Sequence, residues 1–211
     1  MSRKNIKIDF FHDVIWAWCY AISPRVRRLK EEFPDIEIAH HSFALSKTDN
    51  DTIRVFGTLE NAKKEIMNHW RSSNLNDDEG RINTDLMETR EFKYPNSING
   101  LLGCKAAQLQ LGQTGHWDYY DLVQKTHLTE ARNIGDKEIL YDLAEQLDMD
   151  REKFIKDFNS DKAKKMVEDD IKLARRLRVN SVPTIIINSR IKVPGAVSYD
   201  TLREIVLSEM N

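Results

Sequence analysis

Ile6-Lys7-Ile8-Asp9-Phe10-Phe11-His12-Asp13-Val14-Ile15-Trp16-Ala17-Trp18-Cys19-Tyr20 is the stretch on which the fold turns. Ile6 to Phe11 alternates apolar and polar and then ends apolar, which predicts a central strand. Downstream, Ile22, Val26, Leu29 and Phe33 recur at three- and four-residue spacing, predicting a helix over 21–33 that Pro34 stops. Arg25, Arg27, Arg28, Lys30, Glu31 and Glu32 fill its other face. Ile36 to Phe43 reads as a second strand. Together these make a β-α-β unit of the size a parallel crossover needs. The turn from strand to helix, Asp13 to Tyr20, carries a single cysteine, Cys19.

From Ser46 to Val179 no segment has a convincing strand pattern. Helices are predicted over 61–71, 101–111, 116–128, 137–147 and 151–158, with Asp136 and Asp150 as N-caps for the last two. Residues 74–99 are polar, contain Gly80 and Pro95, and read mostly as loop or short helix. The clearest helix spans 161–179, with Ala163, Val167, Ile171, Ala174 and Leu177 on its apolar stripe. Val182-Pro183-Thr184-Ile185-Ile186-Ile187-Asn188 is nearly all apolar, as a buried strand is. Arg190 to Val193 pairs with it as a hairpin across Asn188-Ser189. Ser198 then caps a last helix that buries Leu202, Ile205 and Val206.

At 211 residues the chain is long enough for one sizeable domain or a small one with a large insertion. Its 40% hydrophobic and 31% charged content is ordinary for a globular protein. A formal net charge of -2 supplies no global field for nucleic acid or an anionic membrane. The start, Met1-Ser2-Arg3-Lys4-Asn5, is basic, but the apolar run after it is too short and too polar for a signal-peptide core, and no other stretch is apolar enough to span a bilayer. Two cysteines, Cys19 and Cys104, make no disulfide framework. These points predict a cytoplasmic chain, with a mature secreted form whose signal has been removed as the alternative.

Three segments then carry a resemblance. The turn Asp13-Val14-Ile15-Trp16-Ala17-Trp18-Cys19-Tyr20 resembles a Cys-x-x-Cys redox turn whose first cysteine is replaced by Trp16 and whose following proline is replaced by Ala17. Gln124 with Ala131-Arg132-Asn133-Ile134-Gly135-Asp136 resembles a recurrent stretch of a helical insert. Val179-Asn180-Ser181-Val182-Pro183-Thr184 resembles a cis-proline loop. In this order they are similar to the DsbA-like thioredoxin superfamily, nearest its cytoplasmic FrnE-type branch. Kappa-class glutathione transferases and 2-hydroxychromene-2-carboxylate isomerases are relatives of that branch.

The resemblance implies an α/β thioredoxin fold with a large all-helical insertion. Residues 1–45 and 161–211 form the thioredoxin-fold domain and 46–160 the insertion. It implies a thiol–disulfide oxidoreductase ancestry with at most a monothiol activity through Cys19. The alternatives are a glutathione-dependent isomerase or transferase and a non-catalytic module that binds peptides or thiols. Trp16, Trp18, Val182 and Pro183 would form the substrate groove, and His12 and Asp13 would tune the site. Implied partners are glutathione or a thiol- or disulfide-bearing peptide or protein, with a homodimer allowed, and no cofactor is required.

The chemistry at the turn follows from residue types. A Cys-x-x-Cys turn works because its first cysteine sits at a helix N-terminus, where unpaired N–H groups and the helix dipole stabilise a thiolate. The second cysteine resolves the mixed disulfide. Trp16 cannot attack, so a dithiol cycle within the turn is excluded. Cys19 is either a residual thiol or a buried small apolar residue. Trp18 reads as core packing and Trp16 as the more exposed of the pair. Cys104 is expected to face the core of the insert. Trp117, Tyr119 and Tyr120 either pack the insert or line a cleft. His40 and His41 are adjacent on a strand and point to opposite faces, a poor metal pair. No zinc spacing, phosphate loop or Ser-His-Asp order is present, so no metal is expected.

Overall fold

A computed structural model describes residues 5–210 of the chain. Residues 1–4, which hold most of the basic start, and Asn211 lie outside the described residues. The strands β1 (Lys7–His12) and β2 (Glu37–Ser42) flank helix α1 (Ala17–Glu32). They pair in parallel, Lys7 opposite Glu37 through His12 opposite Ser42. α1 starts ahead of its apolar period because the turn itself is helical: Trp16 is the extended N-cap residue, and the Cys19 N–H already donates to the Trp16 carbonyl at 2.9 Å. Cys19 therefore lies in the first turn. One expectation about α1 fails. Arg25, placed on the solvated face, is only 5% exposed. Its guanidinium donates to the Asp78 carboxylate, to Asn76 and to the Ala196 and Val197 carbonyls. A buried charge persists only with such partners.

The helical block follows as α2 (Asp49–Phe56), α3 (Leu59–Asn74), α4 (Thr84–Glu88), α5 (Ile98–Gln124), a π turn over Lys125–Thr129, α6 (Lys137–Glu145) and α7 (Arg151–Phe158). Asp136 and Asp150 cap the last two, as expected. α2 was not anticipated. At eight residues, none of them fully buried, it is too short to repeat an apolar period. It is set instead by a capping box between Thr48 and Asp51. The two helices expected over 101–111 and 116–128 form one element, broken at Gly112, whose φ of 66° only glycine takes readily.

The chain closes with α8 (Asp161–Arg176), β3 (Thr184–Ile187), β4 (Ile191–Pro194) and α9 (Tyr199–Met210). The sheet order is β2-β1-β3-β4, with β3 antiparallel to both neighbours. Among the described residues no strand lies between β2 and β3. This is the DsbA-like thioredoxin fold.

One apolar core runs from the sheet (Ile8, Phe10, Ile185) and α1 (Leu29) into the helical block (Tyr119, Tyr120, Phe154). A second, smaller core packs Ala17 and Tyr20 of α1 on Ile66, Trp70 and Met87 of α3 and α4. α5 comes so close to the turn that Gly100 faces Val14 with no room for a side chain: a Cβ there would lie 2.6 Å from Val14 Cγ2. No helix among the described residues is long and apolar enough to cross a membrane.

Candidate functional site

The turn is organised by Asp13. This carboxylate is fully buried. One oxygen accepts from the Ile15 N–H at 3.1 Å; the other accepts from the Leu45 N–H at 2.7 Å and the Ser97 hydroxyl at 2.6 Å. It thus ties the end of β1 to the exit of β2 and the start of α5. Burial raises its carboxyl to about 6 against the pull of those hydrogen bonds. Gln124, from the end of α5, donates to the Asp13 carbonyl at 3.3 Å. Tyr94 donates to the Ile15 carbonyl at 3.0 Å and accepts from the Trp70 indole at 3.2 Å. The insert therefore holds the turn's backbone directly.

Trp16 is half-buried, and its ring lies 5.1 Å from that of His69. It closes one wall of a cleft of about 240 Å³. Ile15, Leu45, Val55, Phe56 and Tyr94 supply much of the rest. Leu45 and Val55 are exposed apolar side chains, 39% and 71% accessible. As N-cap of α1, Trp16 offers no side-chain acceptor to the first-turn amides. In a redox turn that is the position of the attacking sulfur.

Cys19 is fully buried within the main core, and burial pushes its thiol well above the ordinary range. A thiolate, the reactive form, is disfavoured there. The Cys19 carbonyl accepts from the Tyr120 hydroxyl at 3.3 Å. Cys104 is also buried, with its thiol raised by burial, and both cysteines are free. Its core-facing placement is as expected.

The Val182–Pro183 peptide is cis. β1 and β3 run antiparallel with Phe11 opposite Thr184, so the register carries Pro183 and Val182 to the end of the sheet where the Asp13 turn begins. Val182 precedes the strand, and its main-chain N–H and C=O make no hydrogen bond among the described residues. The turn and the proline loop therefore lie at the same end of the sheet.

Other expected residues fall elsewhere. Trp18 is half-buried and belongs to neither core among the described residues, so its expected core packing fails. It also does not line the Trp16 cleft. One turn of helix separates neighbouring faces, and positions 16 and 18 point apart. Trp117, Tyr119 and Tyr120 pack the insert; Arg27 lies over the Trp117 ring at 4.0 Å.

His12 is fully buried, with its ring 3.8 Å from that of Tyr120 and its Nε2 3.2 Å from His40 Nδ1. His40 and His41 do face opposite sides: His41 meets Asp9 at 2.8 Å and Asp170 at 3.0 Å. Leu45, Val55, Phe56 and Tyr94 line the cleft but belong to no sequence motif. Only Tyr94-Pro95, an apolar pair inside a polar stretch, carried a local signal.

Comparison with known proteins agrees with this geometry. Residues 7–206 match the family described as the DSBA-like thioredoxin domain. The chain is 26% identical over 210 residues to the ClpXP adapter protein SpxH of Bacillus subtilis, covering 97% of this chain and 67% of that protein. Among solved structures, the cytosolic disulfide reductase DsbM from Pseudomonas aeruginosa with GSH superposes with a TM-score of 0.75 at 17% identity, over 96% of this chain and 98% of that one. A 2-hydroxychromene-2-carboxylate isomerase gives a TM-score of 0.65 at 14% identity, over 96% and 93%. At such identities the structural likeness shows the fold alone.

Proposed function

The chain belongs to the DSBA-like thioredoxin domain family, and from that premise we propose that it is a cytoplasmic peptide-binding member of a thiol–disulfide oxidoreductase family, acting as an adapter rather than by dithiol turnover. The observation that carries this reading is the pairing of Trp16 at the nucleophile's position with a Cys19 that is fully buried and whose thiol is raised. A buried, protonated thiol is a poor nucleophile.

Binding needs no such nucleophile, and the free main-chain groups of Val182 and the cleft beside Trp16 support it. An extended segment of a partner protein lays its backbone along Val182 in short β-augmentation and seats an apolar side chain in the cleft beside Trp16. Main-chain bonds supply affinity and the cleft supplies choice of side chain. The name borne by the SpxH relatives, an adapter, fits a protein whose work is holding another chain. Glutathione, itself a short peptide, is the small ligand that would compete for the same backbone groups.

The test combines two assays. Insulin reduction by the chain should stay at background, with or without Cys19→Ala. A display library of extended peptides should yield binders carrying one large apolar residue; Trp16→Ala should abolish their binding, while Cys19→Ala should leave it unchanged. Insulin reduction at thioredoxin-like rates that vanishes in Cys19→Ala overturns the reading.

A further inference from the structure

Behind the turn, three histidines from three elements meet in the core. His12 ends β1 and His40 lies in β2; the parallel register sets them on the same face of the sheet, since Phe10 pairs with His40 and His12 with Ser42. His116 comes from α5. Their exposures are 0%, 1% and 0%. One ring nitrogen from each lies within 4.8 Å of the other two.

The hydrogen bonds around His116 fix its tautomer. The Lys105 ammonium, which can only donate, reaches the Gln108 Oε1 at 3.0 Å. That oxygen is also 3.0 Å from His116 Nδ1. His116 Nδ1 must therefore carry the proton, and His116 Nε2 is a bare lone pair. It is buried and has no partner. His12 Nδ1, His40 Nε2 and the Ser42 hydroxyl are likewise buried without partners. Of these, the His116 Nε2 lone pair belongs to the three-ring cluster and calls for a ligand; His12 Nδ1 and His40 Nε2 lie on the far side of rings whose other nitrogens, His12 Nε2 and His40 Nδ1, face each other.

We propose that His12, His40 and His116 form a three-imidazole site for a divalent transition-metal ion of the zinc class. Three features fit. The 3.2 Å between His12 Nε2 and His40 Nδ1 is close to the edge of a tetrahedron with metal–nitrogen bonds of about 2.0–2.1 Å, which is roughly 3.3 Å. His116 has the outer partner that metal-bound histidines show, its far N–H given to Gln108. All three imidazoles are buried, and their rings bond only to one another and to the Gln108 amide, with no carboxylate there to hold a charged ring. The nearby cation, Lys105, is held by Asp170 at 2.6 Å. Ser42, beside His12 in the register, offers an oxygen donor for the open position. The reading is independent of the peptide groove.

The site is closed to solvent, so the ion enters as the chain folds. The test refolds the full chain from urea with one equivalent of Co²⁺ or Zn²⁺ and removes loose metal on a desalting column. One Co²⁺ per chain with the visible absorption of a tetrahedral centre is expected, together with a higher melting temperature for the zinc form. His116→Asn should lose the band. Gln108→Leu, which leaves the three ligands in place, should weaken the affinity about 10–100-fold. No retained metal after refolding overturns the proposal. So does a cobalt spectrum unchanged by His116→Asn, since that ion would lie at another histidine. If His116→Asn does not fold, the wild-type stoichiometry and the Gln108→Leu shift decide the matter.

Discussion

The contact between Gly100 and Val14 lends itself to a double-mutant cycle. A Cβ at position 100 would lie 2.6 Å from Val14 Cγ2 and 3.3 Å from Val14 Cβ. Carbon atoms rest at about 3.5–4.0 Å, so the new methyl overlaps its neighbour by roughly 1 Å. Val14 is fully buried and β-branched, so it has little rotamer freedom with which to escape. Overpacking of this kind costs about 1–3 kcal/mol, of which the better helix preference of alanine returns at most about 1 kcal/mol. Val14→Ala alone removes two buried methyl groups and should cost about 2 kcal/mol.

In the double variant the offending Cγ2 is gone and the alanine methyl partly refills the space. It should therefore be no less stable than Val14→Ala alone, which gives a coupling energy of about 1–3 kcal/mol. Urea unfolding followed by far-ultraviolet circular dichroism, with the m-value unchanged, measures all four corners. Additivity within about 0.5 kcal/mol would refute the close approach of α5 to the turn.

Three further outcomes follow from the site. His127 is buried and its imidazole is depressed to about 4 by burial, opposed by its bond to the Arg132 carbonyl. The unfolded chain then binds more protons between about pH 4 and 6.5, so stability is lost on acidification. Relative to His127→Asn, wild type should lose about 2.5 kcal/mol between pH 7.5 and 4.5, and a flat difference would contradict the assignment. An aromatic disulfide reagent should find neither Cys19 nor Cys104 in the native chain and both in denaturant; rapid native labelling at Cys19 would reopen monothiol chemistry. Trp16→Cys should gain insulin-reduction activity that wild type lacks, and no gain would mean that the turn has lost more than one side chain.

The sequence made the frame legible because the frame is periodic. Ile22, Val26 and Leu29 marked α1, and the apolar run after Pro183 marked β3. The resemblance named the turn and the proline loop, which the β1–β3 register carries to the same end of the sheet. The cleft was hidden for a physical reason: α2 buries none of its residues fully, and its eight residues are too few to repeat an apolar period. Arg25 looked solvated because an arginine on a helix shows nothing of Asp78 or of the Ala196 and Val197 carbonyls, which are distant in the chain. The histidine cluster follows from strand register and from α5 crossing the sheet, so no spacing motif encodes it.

α5 has a consequence for taking the protein apart. Tyr119 and Tyr120 sit in the same core as Phe10 and Ile185. Cutting out the helical block and rejoining the flanking segments would leave the sheet with a bare hydrophobic back. The proposed groove is therefore not a detachable cassette on a minimal thioredoxin. Transplanting its specificity to another scaffold means moving the wall and the floor together.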